Sequence, residues 1–282
     1  MNLIDGNLIS KSIFSELKDK VSKLMLDNKK ITLVDILVGN DDASKIYIAN
    51  KKKKFDEVGI NFVECDLPDD ISESDLIKRI DQLNSDDSVN AIFIELPLPK
   101  HINEKNIIDK IKPEKDVDGF GANNLGALLQ GKKCFIPCTA HGIWELMKRT
   151  DIEIAGKHCV VVGRSNIVGK PVALLMLRED ATVTICHSKT KNIKDICKTA
   201  DILIVATGKA KSIDDTYVKE GAVVIDVGIH REVVDGVKKV CGDVDFDKVA
   251  DHTSYITPVP GGVGPMTVNM LIKHCIETVS NE

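Results

Sequence analysis

A tyrosine and a lysine four residues apart give the first candidate for chemistry. They lie in segment 44–51, Ser-Lys-Ile-Tyr-Ile-Ala-Asn-Lys, where a helix would place the Tyr47 ring and the Lys51 ammonium on one side. The spacing alone is weak evidence, because a tyrosine packed on a lysine stem is the commoner arrangement. The next three lysines, 52–54, are expected to form a solvated face. Tyr47 and Lys51 therefore need support from the rest of the sequence.

A loop rich in proline and glycine is the second candidate. Segment 255–269 reads Tyr-Ile-Thr-Pro-Val-Pro-Gly-Gly-Val-Gly-Pro-Met-Thr-Val-Asn. Prolines fix φ and remove amide donors, whereas glycines let the backbone approach a ligand closely. Six such residues within the eight positions 258–265 favour a ligand-binding loop over an ordinary helix entry. The candidate ligand contacts are Pro260, Gly261, Gly262, Val263 and Gly264.

The third candidate is a turn between a buried strand and a helix. Segment 158–163 is an apolar strand that ends in glycine, and segment 164–171 leads into a helix. Such a turn aims unpaired backbone N–H groups and the helix dipole at an anion. The pattern is not G-x-G-x-x-G, because Gly163 and Gly169 are six residues apart with Ser165 between them. We expect a dinucleotide phosphate to bind here.

The strand that follows this turn indicates which dinucleotide. It ends in His187-Ser188-Lys189, where an enzyme that uses NAD usually places an acid for the ribose hydroxyl. Because that acid is missing and Arg164 lies in the glycine turn, the site suits a 2′-phosphate. The sequence therefore favours NADP over NAD. Thr207 and Gly208, at the end of a third strand, are a further point of close approach for the cofactor.

Composition and length exclude several classes of protein. A net charge of -5 and an aromatic content of 4% give no footprint for nucleic acid. No apolar run approaches the length of a membrane span, and the N-terminus lacks the pattern of a secretory signal, so we expect no membrane partner and a cytoplasmic protein. The eight cysteines are scattered, which argues against zinc and predicts small, reduced core residues.

Apolar β-branched runs alternate with amphipathic stretches, and this alternation predicts an α/β fold with parallel sheets in two lobes. The predicted strands lie near 31–38, 60–66, 90–95, 158–163, 181–187, 201–207 and 222–228. The predicted helices lie near 8–28, 43–57, 73–84, 104–111, 140–149, 172–177 and 264–280.

Several motifs together resemble the tetrahydrofolate dehydrogenase/cyclohydrolase family. Pro-Gly-Gly-Val-Gly-Pro-Met-Thr at 260–267 looks like its C-terminal signature, and Leu-Pro-Leu-Pro at 96–99 and Asp-Val-Asp-Gly-Phe at 116–120 resemble further family motifs. The resemblance implies an N-terminal folate-binding catalytic domain at 1–138 plus 265–282. It also implies a Rossmann-like NADP-binding domain at 139–264.

The resemblance also implies roles for single residues. Tyr47 would line the folate site and Lys51 would be the main catalytic side chain. Asp118 would accept hydrogen bonds from the N–H edge of a pterin, for which a carboxylate is well suited. From the residues alone, capping or turning the loop is the alternative role for both Asp116 and Asp118. The cofactor would contact the turn of Gly163, Arg164 and Ser165, the serine at 188, and Ile229. The implied activities are oxidation of methylenetetrahydrofolate and hydrolysis of the methenyl product, by a homodimer.

One residue departs from the family pattern. The family has a glutamine before Leu-Pro-Leu-Pro whose amide bonds the catalytic lysine, whereas this chain has Glu95. A carboxylate would hold Lys51 protonated, unless burial protonates Glu95 instead. General-base use of Lys51 would then be impaired.

Three alternatives to a bifunctional enzyme stay open at this point. One is a dehydrogenase with weak or no cyclohydrolase activity because of Glu95. Another is a different two-lobed NADP-dependent oxidoreductase that uses Lys51 on a small polar acid. The last is an NADP-binding regulator without catalysis.

Overall fold

The computed structural model describes residues 1–40, 42–234 and 237–280. Its strands are β1 (Asn2–Leu3), β2 (Thr32–Val38), β3 (Asn61–Leu67), β4 (Ala91–Ile94), β5 (His158–Val162), β6 (Thr182–Cys186), β7 (Ile202–Val205), β8 (Ala222–Asp226), β9 (His230–Val234), β10 (Val237–Cys241) and β11 (Thr253–Ile256). Its helices are α1 (Gly6–Leu26), α2 (Asp42–Val58), α3 (Glu73–Ser85), α4 (Glu104–Ile108), α5 (Ala122–Leu129), α6 (Cys138–Arg149), α7 (Gly169–Arg178), α8 (Ile193–Cys197), α9 (Phe246–Val249) and α10 (Gly264–Glu277). Short 3-10 turns lie at Asp215–Tyr217 and Ala250–His252.

The chain divides into two compact units. The three-stranded unit consists of Ile13–Ile136 with Val268–Glu282, and the six-stranded unit consists of Met1–Ser12 with Pro137–Thr267. The predicted α/β class with parallel sheets is confirmed in both.

The first twelve residues do not belong to the unit in which the predicted domain of residues 1–138 placed them. Residues 1–12 belong to the six-stranded unit, because β1 pairs in parallel with β11 and Ile4 donates a backbone hydrogen bond to the Ile256 carbonyl at 2.9 Å. A strand of two residues leaves no periodic signal in a sequence. That one unit binds folate and the other binds the cofactor stays a prediction.

The three-stranded unit is built on a central strand that is buried on both faces. Its sheet has the order β3-β2-β4, and both pairs are parallel. Residues 33–37 of β2 are all buried, as expected for a parallel strand covered on both sides. Helix α3 packs Leu76 and Ile80 into the same core. The only charged residue of β2 is Asp35, which is 1% exposed.

The six-stranded unit has a doubly wound parallel sheet in the order β1-β11-β8-β7-β5-β6. Strand β5 lies between β6 and β7, so the strand order reverses direction between β5 and β7. In open α/β sheets the carboxyl ends of the strands at such a reversal form a crevice that binds ligands. Residues 163–165 and 206–208 follow those two strands.

Every predicted strand and helix is found, with shifts of a few residues at its ends. Elements α5, α8, α9, β1, β11 and the antiparallel β9–β10 hairpin were not predicted. Six of the eight cysteines are buried, as expected of core residues. Among the residues that the structure describes, no helix is both long and apolar enough to cross a membrane.

Candidate functional site

The ammonium of Lys51 is buried in the three-stranded unit. Its side chain is 0% exposed, and a fully buried lysine is almost never found without a charged or polar partner. The Nζ atom donates a hydrogen bond to Glu95 Oε1 at 2.6 Å. It also forms an ion pair with Asp35 Oδ2 at 2.6 Å. Two carboxylates thus surround one lysine.

Each of these three groups is positioned by a different element. Lys51 projects from α2, Asp35 lies in the middle of β2, and Glu95 follows β4, where its N–H donates to the Ile36 carbonyl at 2.9 Å. The predicted contact between Glu95 and Lys51 is confirmed. Asp35 was not predicted, because one acid in an apolar strand gives no local sign of the side chain it faces.

Aromatic rings surround the same ammonium. The Nζ atom lies 3.7 Å from the centroid of the Phe93 ring and 5.4 Å from that of Tyr47. Tyr47 is 44% exposed whereas Lys51 is 1% exposed, so the tyrosine ring is the accessible face of the pair. The predicted placement of Tyr47 and Lys51 on one side of a helix is confirmed.

Asp35 is held in an environment that disfavours its charge. Burial, opposed by the Lys51 ammonium and supported by the charge of Glu95, raises the pKa of its carboxyl from 3.8 to about 7. Neither carboxylate oxygen makes an aligned hydrogen bond within the described part of the chain. Two negative charges and one positive charge would leave a net buried charge of about -1, so the cluster has a strong tendency to bind one proton near neutral pH.

The loop of Asp116 and Asp118 runs beside β4. Asp116 forms a parallel bridge with Ile92, so the chain continues from there towards the carboxyl end of β4, where Glu95 lies. The Asp116 carboxylate accepts backbone N–H groups of Gly119 at 3.1 Å and Gly121 at 2.9 Å. Its predicted role in turning the loop is confirmed. Asp118 is half-buried next to it.

A buried histidine supports this loop from α10. His274 Nδ1–H donates to the Val117 carbonyl at 2.8 Å, directly before Asp118. Burial lowers the pKa of His274 to about 4, so the ring is neutral at physiological pH. The histidine therefore fixes the loop backbone without adding charge beside Asp118.

The six-stranded unit has a cavity of about 370 Å³ at the reversal of its strand order. Its lining includes Arg164, Ser165, Ser188, Thr207 and Lys209. No acid is among the described residues that line it, which agrees with the missing ribose acid. Two cations and three hydroxyl groups fit a phosphorylated dinucleotide.

Two of the predicted cofactor residues have a different local role from the one expected. The hydroxyl of Ser165 accepts the N–H groups of Val168 and Gly169, both at 3.2 Å. The serine therefore caps these two N–H groups, and the binding of a phosphate by the turn as a whole stays a prediction. Gly169 is buried, and a Cβ there would overlap the Gly163 carbonyl, so it permits close packing of the turn.

A carboxylate that the sequence did not single out supports the turn at 207–208. Asp243 Oδ2 accepts the backbone N–H of Thr207 at 2.6 Å and that of Gly208 at 2.9 Å. Its Oδ1 lies 2.7 Å from His230 Nε2. Asp243 is 0% exposed, and its own N–H donates to Asp226 Oδ1 at 2.9 Å. This network fixes the backbone that borders the cavity.

The loop predicted to bind a ligand lines a second cavity in the same unit. This cavity of about 220 Å³ is bordered by residues 258–265 and by Ile229, which is 62% exposed. Gly261 has a φ of +105°, a conformation that few other residues adopt. A Cβ at Gly262 would lie 2.6 Å from the Pro258 carbonyl oxygen, so glycine is required there by the fold of the loop itself.

Removal of the Asp243 carboxylate is expected to weaken ligand binding at the predicted cofactor site. Asp243→Ala leaves the N–H groups of Thr207 and Gly208 without their acceptor, at a cost of about 1–3 kcal/mol in a buried position. We expect the Kd for NADP, measured by fluorescence titration, to rise about tenfold. The exposed Asp247→Ala is the matched control. A lower melting temperature with an unchanged Kd would show that Asp243 has no influence on the cofactor site.

The raised pKa of Asp35 makes a prediction for stability against pH. A carboxyl that binds its proton more tightly in the folded state favours folding below its unfolded pKa of 3.8 and loses that contribution as pH rises through about 7. Asn at this position cannot ionise. We therefore expect Asp35→Asn to gain stability relative to wild type between pH 4 and pH 7, in denaturant unfolding at each pH. Asp66→Asn, an exposed aspartate of β3, is the control, and parallel curves for wild type and Asp35→Asn would contradict this assignment.

Comparisons with known proteins agree with both units. Residues 137–282 match the family described as "Tetrahydrofolate dehydrogenase/cyclohydrolase, NAD(P)-binding domain", and residues 4–118 match its "catalytic domain". The "Bifunctional protein FolD" of Agathobacter rectalis is 58% identical over 278 residues, which cover 99% of each chain.

Solved structures give the same result. The bifunctional FolD enzyme of Campylobacter jejuni superposes with a TM-score of 0.95 at 43% identity, covering 99% of this chain and 98% of that one. The FolD enzyme of Trypanosoma brucei, solved with NADP and an inhibitor, has a TM-score of 0.92 at 37% identity, covering 98% of this chain and 96% of that one. The chain belongs to the tetrahydrofolate dehydrogenase/cyclohydrolase family.

Proposed function

We propose that the protein oxidises methylenetetrahydrofolate to methenyltetrahydrofolate with NADP and hydrolyses the product to formyltetrahydrofolate. The observation that carries the proposal is the buried Lys51 bonded to Glu95 beneath the accessible Tyr47 ring, in a chain that is 58% identical to a bifunctional relative. An absorbance assay with methylenetetrahydrofolate and NADP tests it. Reduced cofactor and then formyl product are expected, and no folate-dependent reduction would overturn the proposal.

The first reaction depends on positioning. Bound NADP supplies the hydride acceptor. Arg164, Ser188 and Lys209 are expected to bind its phosphates, and Thr207, Gly208 and Ile229 to border the rest of the cofactor. On the folate side, Tyr47 contacts the planar ring and Asp118 accepts hydrogen bonds from the pterin edge. The loop of residues 260–264 also contacts the substrate in this proposal. No proton transfer is needed while the hydride leaves, so orientation provides most of the rate.

The second reaction needs a water molecule that the enzyme positions and deprotonates. Its oxygen attacks the methenyl carbon, one O–H bond breaks, and the proton must be accepted by the enzyme. The C–N5 bond then breaks and the hydroxyl becomes the formyl carbonyl, while N5 takes up a proton. Lys51 is the side chain placed to receive the water proton and to stabilise the developing charges.

A dehydrogenase with slow hydration is the second candidate, and a specific observation favours it. Two carboxylates lie 2.6 Å from the Lys51 amine, and both oppose loss of its positive charge. A ratio of hydration to hydride transfer far below one would support this candidate. We also propose a homodimer in the cytoplasm, to be measured by analytical ultracentrifugation and by cell fractionation.

Cofactor preference depends on Arg164 in this proposal. Arg164→Ala should weaken NADP binding by about 1.5–3 kcal/mol, the range of a charged hydrogen bond, and leave NAD binding nearly unchanged. Isothermal titration with each cofactor measures this difference. Arg178→Ala, an exposed arginine in the last turn of α7, is the control. An equal loss for both cofactors would mean that Arg164 does not recognise the 2′-phosphate.

Loss of Lys51 should separate the two reactions. Hydride transfer needs no proton transfer through Lys51 whereas hydration does, so Lys51→Met should abolish formyl production, retain some NADP reduction and accumulate the methenyl intermediate. Breaking the buried ion pair should also cost about 3–5 kcal/mol of stability, so folding must be checked by circular dichroism. The exposed Lys53→Met is the control. An equal loss of both activities in a folded variant would assign Lys51 to binding alone.

A further inference from the structure

We propose that Asp35 is a positioning residue behind Lys51 that stores the proton released when water attacks the methenyl carbon. This inference rests on the proposed function, since it concerns the second reaction. It solves a difficulty in the site: a lysine that is already an ammonium, bonded to Glu95, has no lone pair with which to take a proton from water.

The geometry allows the proton to pass through Lys51. As the ammonium releases one proton to Asp35 Oδ2, which lies 2.6 Å from Nζ, the lone pair that this frees takes another proton from the attacking water. The O–H bond of water breaks, one N–H bond forms, a second N–H bond breaks and an O–H bond forms on Asp35. Lys51 ends the step as an ammonium, as it began. The charge lost by Asp35 offsets the positive charge of the methenyl cation that water neutralises, so the net charge of site and substrate is unchanged.

Asp35 is better suited to hold this proton than Glu95. The Asp35 side chain is 0% exposed, whereas that of Glu95 is 10% exposed and retains some contact with solvent. Apart from the lysine, no hydrogen-bond donor among the described residues stabilises the Asp35 carboxylate. Its pKa of about 7 also matches a proton acceptor that works near neutral pH.

The other ionisable groups around the cluster are few. Glu64 of β3 faces Asp35 and raises its pKa, but it is paired with Lys52 at 2.6 Å. Cys275 of α10 faces Lys51, and burial raises the pKa of its thiol. Glu64 thus adjusts the protonation of Asp35 through its charge, whereas Lys51 contacts both Asp35 and Glu95 directly.

The test measures both activities of three variants across pH. In wild type, kcat for hydration of methenyltetrahydrofolate should fall as pH drops through about 7, because Asp35 must be ionised to take up the proton. Asp35→Asn should lower this kcat by about a hundredfold and remove that acid limb of the pH profile, while kcat for hydride transfer changes by less than about threefold. Glu95→Gln should keep that limb but move it towards acid, because the charge of Glu95 raises the pKa of Asp35. Asp66→Asn should behave as wild type. Loss of the limb in Glu95→Gln but not in Asp35→Asn would identify Glu95 as the acceptor and overturn the proposal.

A second measurement does not depend on activity. In protein labelled with carboxyl-¹³C aspartate, one resonance should titrate near pH 7, and it should be missing from Asp35→Asn or, if that variant does not fold, from Asp35→Val. An Asp35 that stays protonated or stays ionised from pH 5 to pH 9 would overturn the proposal. Wild type without folate turnover but with this titration would refute the proposed function and leave the ionisation of Asp35 established.

Discussion

The ammonium of Lys51 lies inside the protein, and its burial constrains the rest of the three-stranded unit. A buried charge is tolerated only when partners replace water, and here the partners come from β2 and from the end of β4. The parallel sheet places Asp35 and Glu95 beside the same lysine side chain, which projects from α2. The aromatic rings of Phe93 and Tyr47 contact the remaining surface of the ammonium. The register of β2 and β4 therefore determines which carboxylates contact the lysine.

The six-stranded unit uses carboxylates for a different purpose. In the part of the chain that the structure describes, Asp226 and Asp243 accept backbone N–H groups and pair with one histidine, and these bonds fix the backbone at 207–208, at 228 and at 243–244. Burial raises the pKa of Asp226 to about 6, and the three N–H groups it accepts limit that increase. Rigid backbone around a cavity lowers the entropy lost when a ligand binds.

How much of this could be predicted depended on how local each signal was. The shared helix face of Tyr47 and Lys51 and the strand end at Gly163 could be predicted from local spacing, but the choice of Tyr47 and Lys51 as site residues also needed the family resemblance. Contact between Glu95 and Lys51 was predictable because a family pattern places a lysine partner at that position. The roles of Asp35 and Asp243 were not, since each depends on contacts between segments that are far apart in sequence. Ser165 was placed in the right turn, but capping and ligand binding call for the same residue type.

The charge state of Lys51 is the point on which both the proposed hydration and the role of Asp35 depend. Nitrogen NMR of protein labelled with ¹⁵N in the lysine side chains measures it directly at pH 7, with Lys51→Met for assignment. A protected ammonium, with slow proton exchange and a scalar coupling to a carboxylate, is the expected result. A neutral amine at pH 7 would contradict it, because Lys51 would then be a general base in its own right and Asp35 would have no proton to store.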